Sequence, residues 1–428
     1  MNDNFISIIF NRMLDKNNAE KYIFNIPLAL LLGQYYILNP KSSKLFGYNI
    51  LHIIFVTFVA IVFVVFTCTF PISLYILIND TNQLAMEIFS VINVTFSCCK
   101  IVTIIRNSTR LWNLLEVTRI DFIIKNGSNS LQKCRVKLIK FTYTTFLFYM
   151  MQLLWIYFTY LNRHNFQKIK FKGNIYKEYK TNFFQLYMPV SEYSYNIKYF
   201  KYIYIFEFVT AFNFVYFTTF FDMIVMPICI CLSGQLSAIG ESYSSVGHRE
   251  YENYDFKTSN TNYNEIKNCI VHYQKILQKL RGVYKLFYWI VVSQLAVGSC
   301  TFVFLALLIL NNFYNSKELV NAQHFSTIKM IMSFVGFSYQ YFFICYLFGN
   351  VDESNESINF SIYSSNWTEM DLKSKKLILL TMITNNSNKK YMRITIQKNV
   401  NVQFFLVMVR TCYSIISVLI KYKNASSL

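Results

Sequence analysis

The sequence predicts an all-α, multi-pass membrane protein, and three observations carry that prediction. Seven apolar stretches lie at about 49–78, 83–105, 139–161, 203–232, 286–310, 325–348 and 400–420. Each is near or above the roughly 20 residues a helix needs to cross the hydrocarbon of a bilayer. Hydrophobic residues make up 54% of the 428 residues and charged residues only 15%, against about 25% charged in an average soluble domain. Aromatic residues reach 18%, with 42 Phe and 33 Tyr, a loading that suits interfacial belts and aromatic-lined cavities. Only helices or closed barrels satisfy their backbone in lipid, and runs this long, rich in Leu, Ile, Phe and Val, are helices.

The elements follow in order. Residues 1–48 form a cytoplasmic N-terminal segment, and 1–20 lack the basic start, apolar core and small-residue cleavage site of a signal peptide. Within that segment 22–38 is apolar but interrupted by Pro27 and Gly33. It reads as a surface or re-entrant segment at the cytoplasmic face. Spans one to four occupy 49–232. The connection 162–202 is basic and aromatic, with Phe166, Phe171, Tyr176, Tyr179, Phe183, Phe184 and Tyr187, and is expected to fold over the outer mouth or to meet lipid headgroups.

The region 233–285 has two parts. Residues 241–262 are polar and read as flexible. From 263 to 285 the residues Ile266, Ile270, Tyr273, Leu277, Leu280 and Tyr284 fall at helical spacing, an apolar stripe on a cytoplasmic helix that continues into the fifth span. Spans five and six occupy 286–348. In 349–399 an acidic, polar stretch (351–359) precedes Tyr363-Ser-Ser-Asn-Trp367 and an amphipathic helix over 373–383 that ends in Asn385-Asn386-Ser387. Residues 400–428 give the seventh span and a short outer tail.

Positive charge sets the orientation. The net charge of +19 is a topological signal here rather than a sign of nucleic-acid binding. The segments 1–48, 106–139, 241–285 and 351–398 hold 26 of the 41 Lys and Arg, while the alternate set holds 11. Lys and Arg accumulate on the cytoplasmic side, so the N-terminus is expected inside and the C-terminus outside. The eight basic residues of 162–202, among them Arg163, run against that trend. The ten cysteines all fall in spans or cytoplasmic segments, which predicts free thiols and no external disulfide. Cys98-Cys99 and Cys229-x-Cys231 lack the paired spacing of a zinc site. Of the glycosylation sequons, only Asn79 and Asn424 face outward in this topology.

The sequence also excludes function classes. It carries no nucleophile–base constellation, glycine-rich phosphate loop or metal cluster, so neither enzyme activity nor a cofactor is expected. A G-protein-coupled receptor would carry an outer Cys in its third helix, an acidic-Arg-aromatic triplet after it and Asn-Pro near the end of its seventh. None is present, and the charge bias is opposite. A transporter would show internal repeats and broken helices, and neither is found.

The last third of the chain resembles a known family. Tyr346-Leu-Phe-Gly349-Asn350, then Glu356 through Tyr363 and Trp367, then 373–382, are similar to the segment after the sixth helix of insect odorant receptors. Phe404-Phe405, Arg410-Thr-Cys-Tyr413-Ser414 and Val418-Leu419 resemble that family's final helix. Leu31-Leu32-Gly33-Gln34-Tyr35 stands where the family often has Gly and Trp, with Tyr here as a departure. The resemblance implies seven helices joined as a tetramer through cytoplasmic helical extensions that form an anchor domain. It implies the ligand-tuning subunit of an odorant-gated cation channel, paired with an odorant co-receptor in the plasma membrane of olfactory neurons and gated by small volatile apolar ligands. The long fourth loop of that co-receptor is absent. A gustatory-type receptor channel is the alternative, although the segment with Tyr363 and Trp367 favours the odorant branch.

Candidate sites follow from the same resemblance. The seventh helix would line the pore, with Ile415, Ile416, Val418 and Leu419 closing it, Val418 as gate and Lys421 near the mouth, since apolar constrictions gate by dewetting. The anchor would use Leu277, Leu280, Tyr363 and Trp367. The odorant cavity would use Trp155, then Phe212, Tyr216 and Phe220 at steps of four, and Tyr339 with Phe343. Ordinary helix packing would use the same side chains. Charges inside spans read as functional candidates. Glu87 is expected to snorkel to an interface, Glu207 to face the cavity or the basic loop, Asp222 to pair or meet water, and Arg410 to pair with an acid on a neighbour.

Overall fold

A computed structural model describes residues 33–426 apart from 41, 46, 79–80, 119–128, 162–165, 171–175, 181–183, 185–190, 249–255, 316–321, 388–390 and 396. Residues 1–32, the outward sequon at Asn79, and Arg163, Phe171, Phe183 and Tyr187 lie outside the described residues. The chain is built of long helices: α1 Gln34–Leu38, α2 Ile50–Leu77, α3 Thr81–Arg106, α4 Ser108–Leu114, α5 Asn129–Leu161, α6 Phe200–Ser245, α7 Phe256–Asn315, α8 Ala322–Tyr363, α9 Leu372–Ser387 and α10 Val402–Ser426. Two antiparallel hairpins accompany them, β1 Lys44–Leu45 with β2 Tyr48–Asn49 and β3 Phe166–Lys170 with β4 Tyr176–Lys180. Each of the seven predicted spans coincides with the apolar part of a long helix, α2, α3, α5, α6, α7, α8 or α10. Five of these helices are long and apolar enough over their described residues to cross a membrane, and Val402–Val418 of α10 is a shorter apolar helix.

Several helices run past the spans. α6 continues to Ser245, and α7 begins at Phe256. The expectation of a flexible stretch over 241–262 is therefore corrected at both ends, since 241–245 and 256–262 are helical. Ser, Thr, Asn and Tyr there are weak helix formers, but they extend helices that already exist, and propagation costs far less than nucleation. The acidic stretch 351–359 is likewise no separate segment but the last turns of α8.

The chain divides into two compact units. One comprises 29–111 and 141–224. Its first described turn starts at Gly33, whose φ of 73° is left-handed and therefore favours glycine. Asn49 caps α2 by accepting from the Leu51 amide at 3.0 Å, and its own amide donates to the Tyr36 carbonyl at 2.8 Å. A ring nitrogen of His52 meets the Ile37 carbonyl at 2.8 Å. Gln34, Ile37 and Leu38 are buried, so the described end of the predicted surface segment is packed inside.

The basic connection 162–202 holds the β3–β4 hairpin. Glu178 and Lys180 of β4 are sewn to the turns before α6: their amides donate to the Glu192 carboxylate at 2.8 Å and to Asn196 Oδ1 at 2.9 Å. The Lys180 ammonium lies 5.3 Å from the Phe200 ring centroid.

The other unit comprises the described residues of 112–140 and 225–428. Here Ile266, Tyr273, Leu280 and Tyr284 of the α7 stripe are buried, and Ile270 and Leu277 are half-buried. Tyr273 donates to Asn355 Oδ1 at 3.0 Å, and Tyr284 donates to Asp352. The stripe thus packs on α8 of its own chain. Between lipid-embedded helices the hydrophobic effect gives no net pull, so close packing and hydrogen bonds hold them. The contacts are of that kind: a Cβ at Gly298 would meet the Tyr341 ring at 2.8 Å, and the Tyr341 hydroxyl lies 3.0 Å from Ser299 Oγ. The Phe302 and Phe334 centroids are 4.3 Å apart. Tyr341 also stacks on Phe404 of α10 at 6.4 Å, and Gly349 lets α8 approach Asn401, 3.3 Å from where its Cβ would be. The turn after α6 closes through Gly247 (φ 79°), with the Asn366 amide donating to the Val246 carbonyl at 3.2 Å. All ten cysteines are free thiols.

Candidate functional site

The unit of 29–111 and 141–224 has ionisable groups at its centre. Lys100 of α3 is 1% exposed. Its ammonium lies 4.9 Å from the Phe221 ring centroid and 5.1 Å from that of Phe96, and Asp222 is the acid within electrostatic reach. The Tyr149 hydroxyl donates to Asp222 Oδ2. A charge taken out of water persists only when an opposite charge or ring faces stabilise it, and Lys100 has two ring faces and the field of Asp222. The expectation for Asp222, a partner or water, is answered by the Tyr149 hydroxyl. Lys100 and Tyr149 are the members that the sequence reading did not single out. A lysine in the middle of an apolar stretch was the available signal.

A second polar group involves Glu87 of α3 and Glu207 of α6, both fully buried. Glu207 accepts from the Phe184 amide at 3.2 Å, so it faces the basic loop. Glu87 faces Ser73 and Glu207. The expectation that Glu87 snorkels is corrected, because α3 turns that carboxyl inward, and a side chain this short cannot reach an interface from an inward-facing position.

The same unit carries an aromatic cluster. Tyr216 stacks on Phe55 at 5.8 Å and 25°, and lies 5.8 Å from Phe220, which is 1% exposed. The Tyr216 hydroxyl sits 3.5 Å from where a Gly33 Cβ would be, and Gln34 Nε2 meets the Phe220 carbonyl at 3.4 Å. Phe212 is 49% exposed, so the predicted shared face holds for Tyr216 and Phe220 but not for Phe212. Steps of four on a 3.6-residue helix rotate around the axis, and two such steps carry the first residue off the inner face. Trp155 lies on α5, with its side chain outside the described residues. In the other unit, Tyr339 and Phe343 of α8 stack at 5.7 Å and 13°, with Phe343 2% exposed.

The anchor candidates lie in that unit. Leu280 is buried, Leu277 half-buried, Tyr363 60% exposed, and the Trp367 ring lies 6.1 Å from that of Tyr363. A cavity of about 700 Å³ opens between α7, α8 and α9, with Tyr273, Leu277, Asn355, Leu377 and Leu380 on its walls. The helix α9 points its Leu379, Leu380 and Ile383 outward at about 60% exposure. On α10, Ile415 is 41% and Val418 64% exposed, and Arg410 and Lys421 are exposed. The Leu419 side chain is outside the described residues. Among the described residues no three metal-ligating side chains come together. The arrangement suits binding by apolar area and aromatic faces rather than bond-making chemistry.

Comparison with known proteins completes the picture. The sequence model described as 7tm Odorant receptor matches residues 80–413, and no curated protein sequence matches. The fold is similar to that of the insect olfactory receptor OR5 from Machilis hrabei, with a TM-score of 0.65 at 12% identity over 92% of this chain and 97% of that one. The same receptor solved in complex with eugenol matches with a TM-score of 0.57 at 14% identity, over 84% of this chain and 88% of the other. That is a receptor family rather than an enzyme family, and its members are multi-pass membrane proteins. The chain belongs to the 7tm odorant receptor family.

Proposed function

We propose that this odorant receptor is the ligand-tuning subunit of a heteromeric odorant-gated cation channel, assembled as a tetramer with an odorant co-receptor in the plasma membrane of olfactory neurons. The observation that carries this reading is the apolar outward face of α9 and α10: Leu379, Leu380 and Ile383 on one, Leu406, Val407, Ile415 and Val418 on the other. By the charge bias the N-terminus is cytoplasmic, and α9 then lies on the cytoplasmic side, where exposed leucines call for a protein partner. The α10 face supports a shared pore, with Val418 as gate and Ile415, Leu419 and Lys421 beside it.

The ligand is a small volatile apolar molecule, held by Trp155, Tyr216 and Phe220, with Tyr339, Phe343 and Phe212 as further candidates. The support is the aromatic lining and the fold shared with a receptor that was solved with eugenol. Co-expression with an insect odorant co-receptor and whole-cell recording against a volatile panel tests the reading. The expected result is a fast cation current that needs both chains and survives G-protein block. A response without the partner, or one that needs G proteins, would overturn it. Val418→Ala is expected to raise basal current, and Trp155→Ala to shift ligand sensitivity at unchanged surface expression.

A further inference from the structure

Where α7 passes from its polar half to its apolar half, a second cavity of about 450 Å³ opens, lined by Arg281, Tyr284, Lys285, Tyr288, Trp289, Tyr391 and Arg393. Arg281, Lys285 and Tyr288 fall at helical spacing on one face. Arg281 and Lys285 are exposed like charges four residues apart, an arrangement that by itself destabilises a helix. A third cation, Arg393, enters from the turn between α9 and α10. That turn is held by the Val400 amide donating to the Met392 carbonyl at 2.7 Å and the Ile394 amide to the Lys398 carbonyl at 2.9 Å. The Arg393 guanidinium lies 5.4 Å from the Tyr391 ring centroid.

Among the described residues no acid lines the cavity. The two carboxylates nearby stand against tyrosines: Tyr284 donates to Asp352, and Glu356 lies within electrostatic reach of Tyr391. Asp352 also attracts Arg393, which leaves Arg281 and Lys285 without an acid on the cavity wall. Trp289, 76% exposed at the start of the apolar stretch, marks the level of a membrane interface, where Trp side chains concentrate.

We infer that this cavity is a phosphate-binding site, with Arg281, Lys285 and Arg393 as the cationic clamp and the headgroup of an anionic phospholipid as the ligand that fits its level in the membrane. Arg presents a planar fork of donors that matches phosphate oxygens, and Lys adds a point charge. The rings of Tyr288, Trp289 and Tyr391 give the glycerol and upper acyl chain an apolar wall. The orientation in the preceding proposal puts the cavity at the inner leaflet, where anionic lipids concentrate. The phosphate site itself does not depend on that orientation.

The test uses the full chain purified in nonionic detergent, with binding measured for dioctanoyl phosphatidylinositol bisphosphate, dioctanoyl phosphatidylcholine and inositol trisphosphate. No odorant or current enters the readout, so failure of the odorant reading would not mimic failure here. Arg281→Gln, Lys285→Gln and Arg393→Gln are each expected to weaken binding of the bisphosphate lipid by about tenfold. Arg393→Lys is expected to recover part of it, and Lys275→Gln, on the same helix but away from the cavity, to leave it unchanged. Binding of the lipid well above that of inositol trisphosphate identifies a membrane headgroup as the source. Equal binding of the two supports the same phosphate site for a soluble organophosphate. The inference is overturned if the three Gln variants bind as wild type does, or if phosphatidylcholine binds as tightly as the bisphosphate lipid.

Discussion

The two units of this receptor differ in where they keep their polar and apolar groups. The unit of 29–111 and 141–224 buries Glu87, Lys100, Glu207 and Asp222 and turns Ile54, Ile61, Phe63 and Val64 outward. Within a bilayer that inversion is the expected arrangement, because ionisable side chains face the interior of the helix bundle and aliphatic chains meet lipid. The other unit buries a conventional apolar stripe along α7, yet exposes Leu372, Leu379, Leu380 and Ile383 on α9. Exposed apolar groups have one meaning in lipid and another in water. In lipid, the outward Ile61, Phe63 and Val64 of α2 need no partner; in water, where the proposed topology puts α9, the outward Leu379 and Leu380 call for one.

Ways to break this contrast run from severe to slight. Lys100→Ala removes the cation whose field reaches the buried Asp222. Breaking a buried pair from one side costs about 3–5 kcal/mol, so the variant is expected to lose surface expression, as read by surface biotinylation. Lys100→Met with Asp222→Leu should recover much of it, and normal expression of the single variant would show that the inner charges are dispensable. Leu379→Glu with Leu380→Glu targets the opposite kind of surface. The chain should fold, bind detergent normally and fail to co-purify with a co-receptor. Intact assembly would remove α9 from the interface.

Smaller effects sharpen the picture within the α7–α9 region. Asp371 precedes α9, and its carboxylate accepts from the Ser374 amide at 3.4 Å. The Ser374 side chain and nearby backbone amides hold that carboxyl below its ordinary range. A depressed carboxylate contributes stability that is present above its unfolded pKa and lost as pH falls through its folded pKa. Asp371→Ala is expected to cost about 1 kcal/mol as a lost helix cap and to flatten the acid side of a melting-temperature profile. An unchanged profile would deny the cap. Tyr273→Phe deletes the donor to Asn355 and should cost about 1 kcal/mol, with the melting temperature as readout and Tyr363→Phe, exposed, as the neutral control.

Much of the fold was legible in the sequence because the requirement it meets is local. A span needs about 20 apolar residues wherever it stands, so the seven stretches and the stripe from Ile266 to Tyr284 show themselves one segment at a time. The β3–β4 hairpin escaped notice because Phe166-Gln-Lys-Ile-Lys170 and Tyr176-Lys-Glu-Tyr-Lys180 mix charged and aromatic residues without a clean apolar face, and the hairpin is held by Glu192 and Asn196 further along the chain. Among the candidate aromatics, spacing grouped Phe212 with Tyr216 and Phe220, but facing direction is set by neighbouring helices, and Phe212 points away.

What the sequence alone determined is the class: a multi-pass helical membrane protein with long polar extensions of its helices, and a last third that carries the marks of its family. Hydropathy and length act within one helix and need no partner, which is why they can be read in one dimension. The tertiary structure alone decided what the buried charges meet, Lys100 the rings of Phe96 and Phe221, Asp222 the Tyr149 hydroxyl, Glu207 the Phe184 amide. It also decided which cations share a cavity, Arg281 and Lys285 with an Arg393 more than a hundred residues away. Those pairings rest on interactions that act over a few ångströms between residues far apart in the chain, and only packing brings them within range.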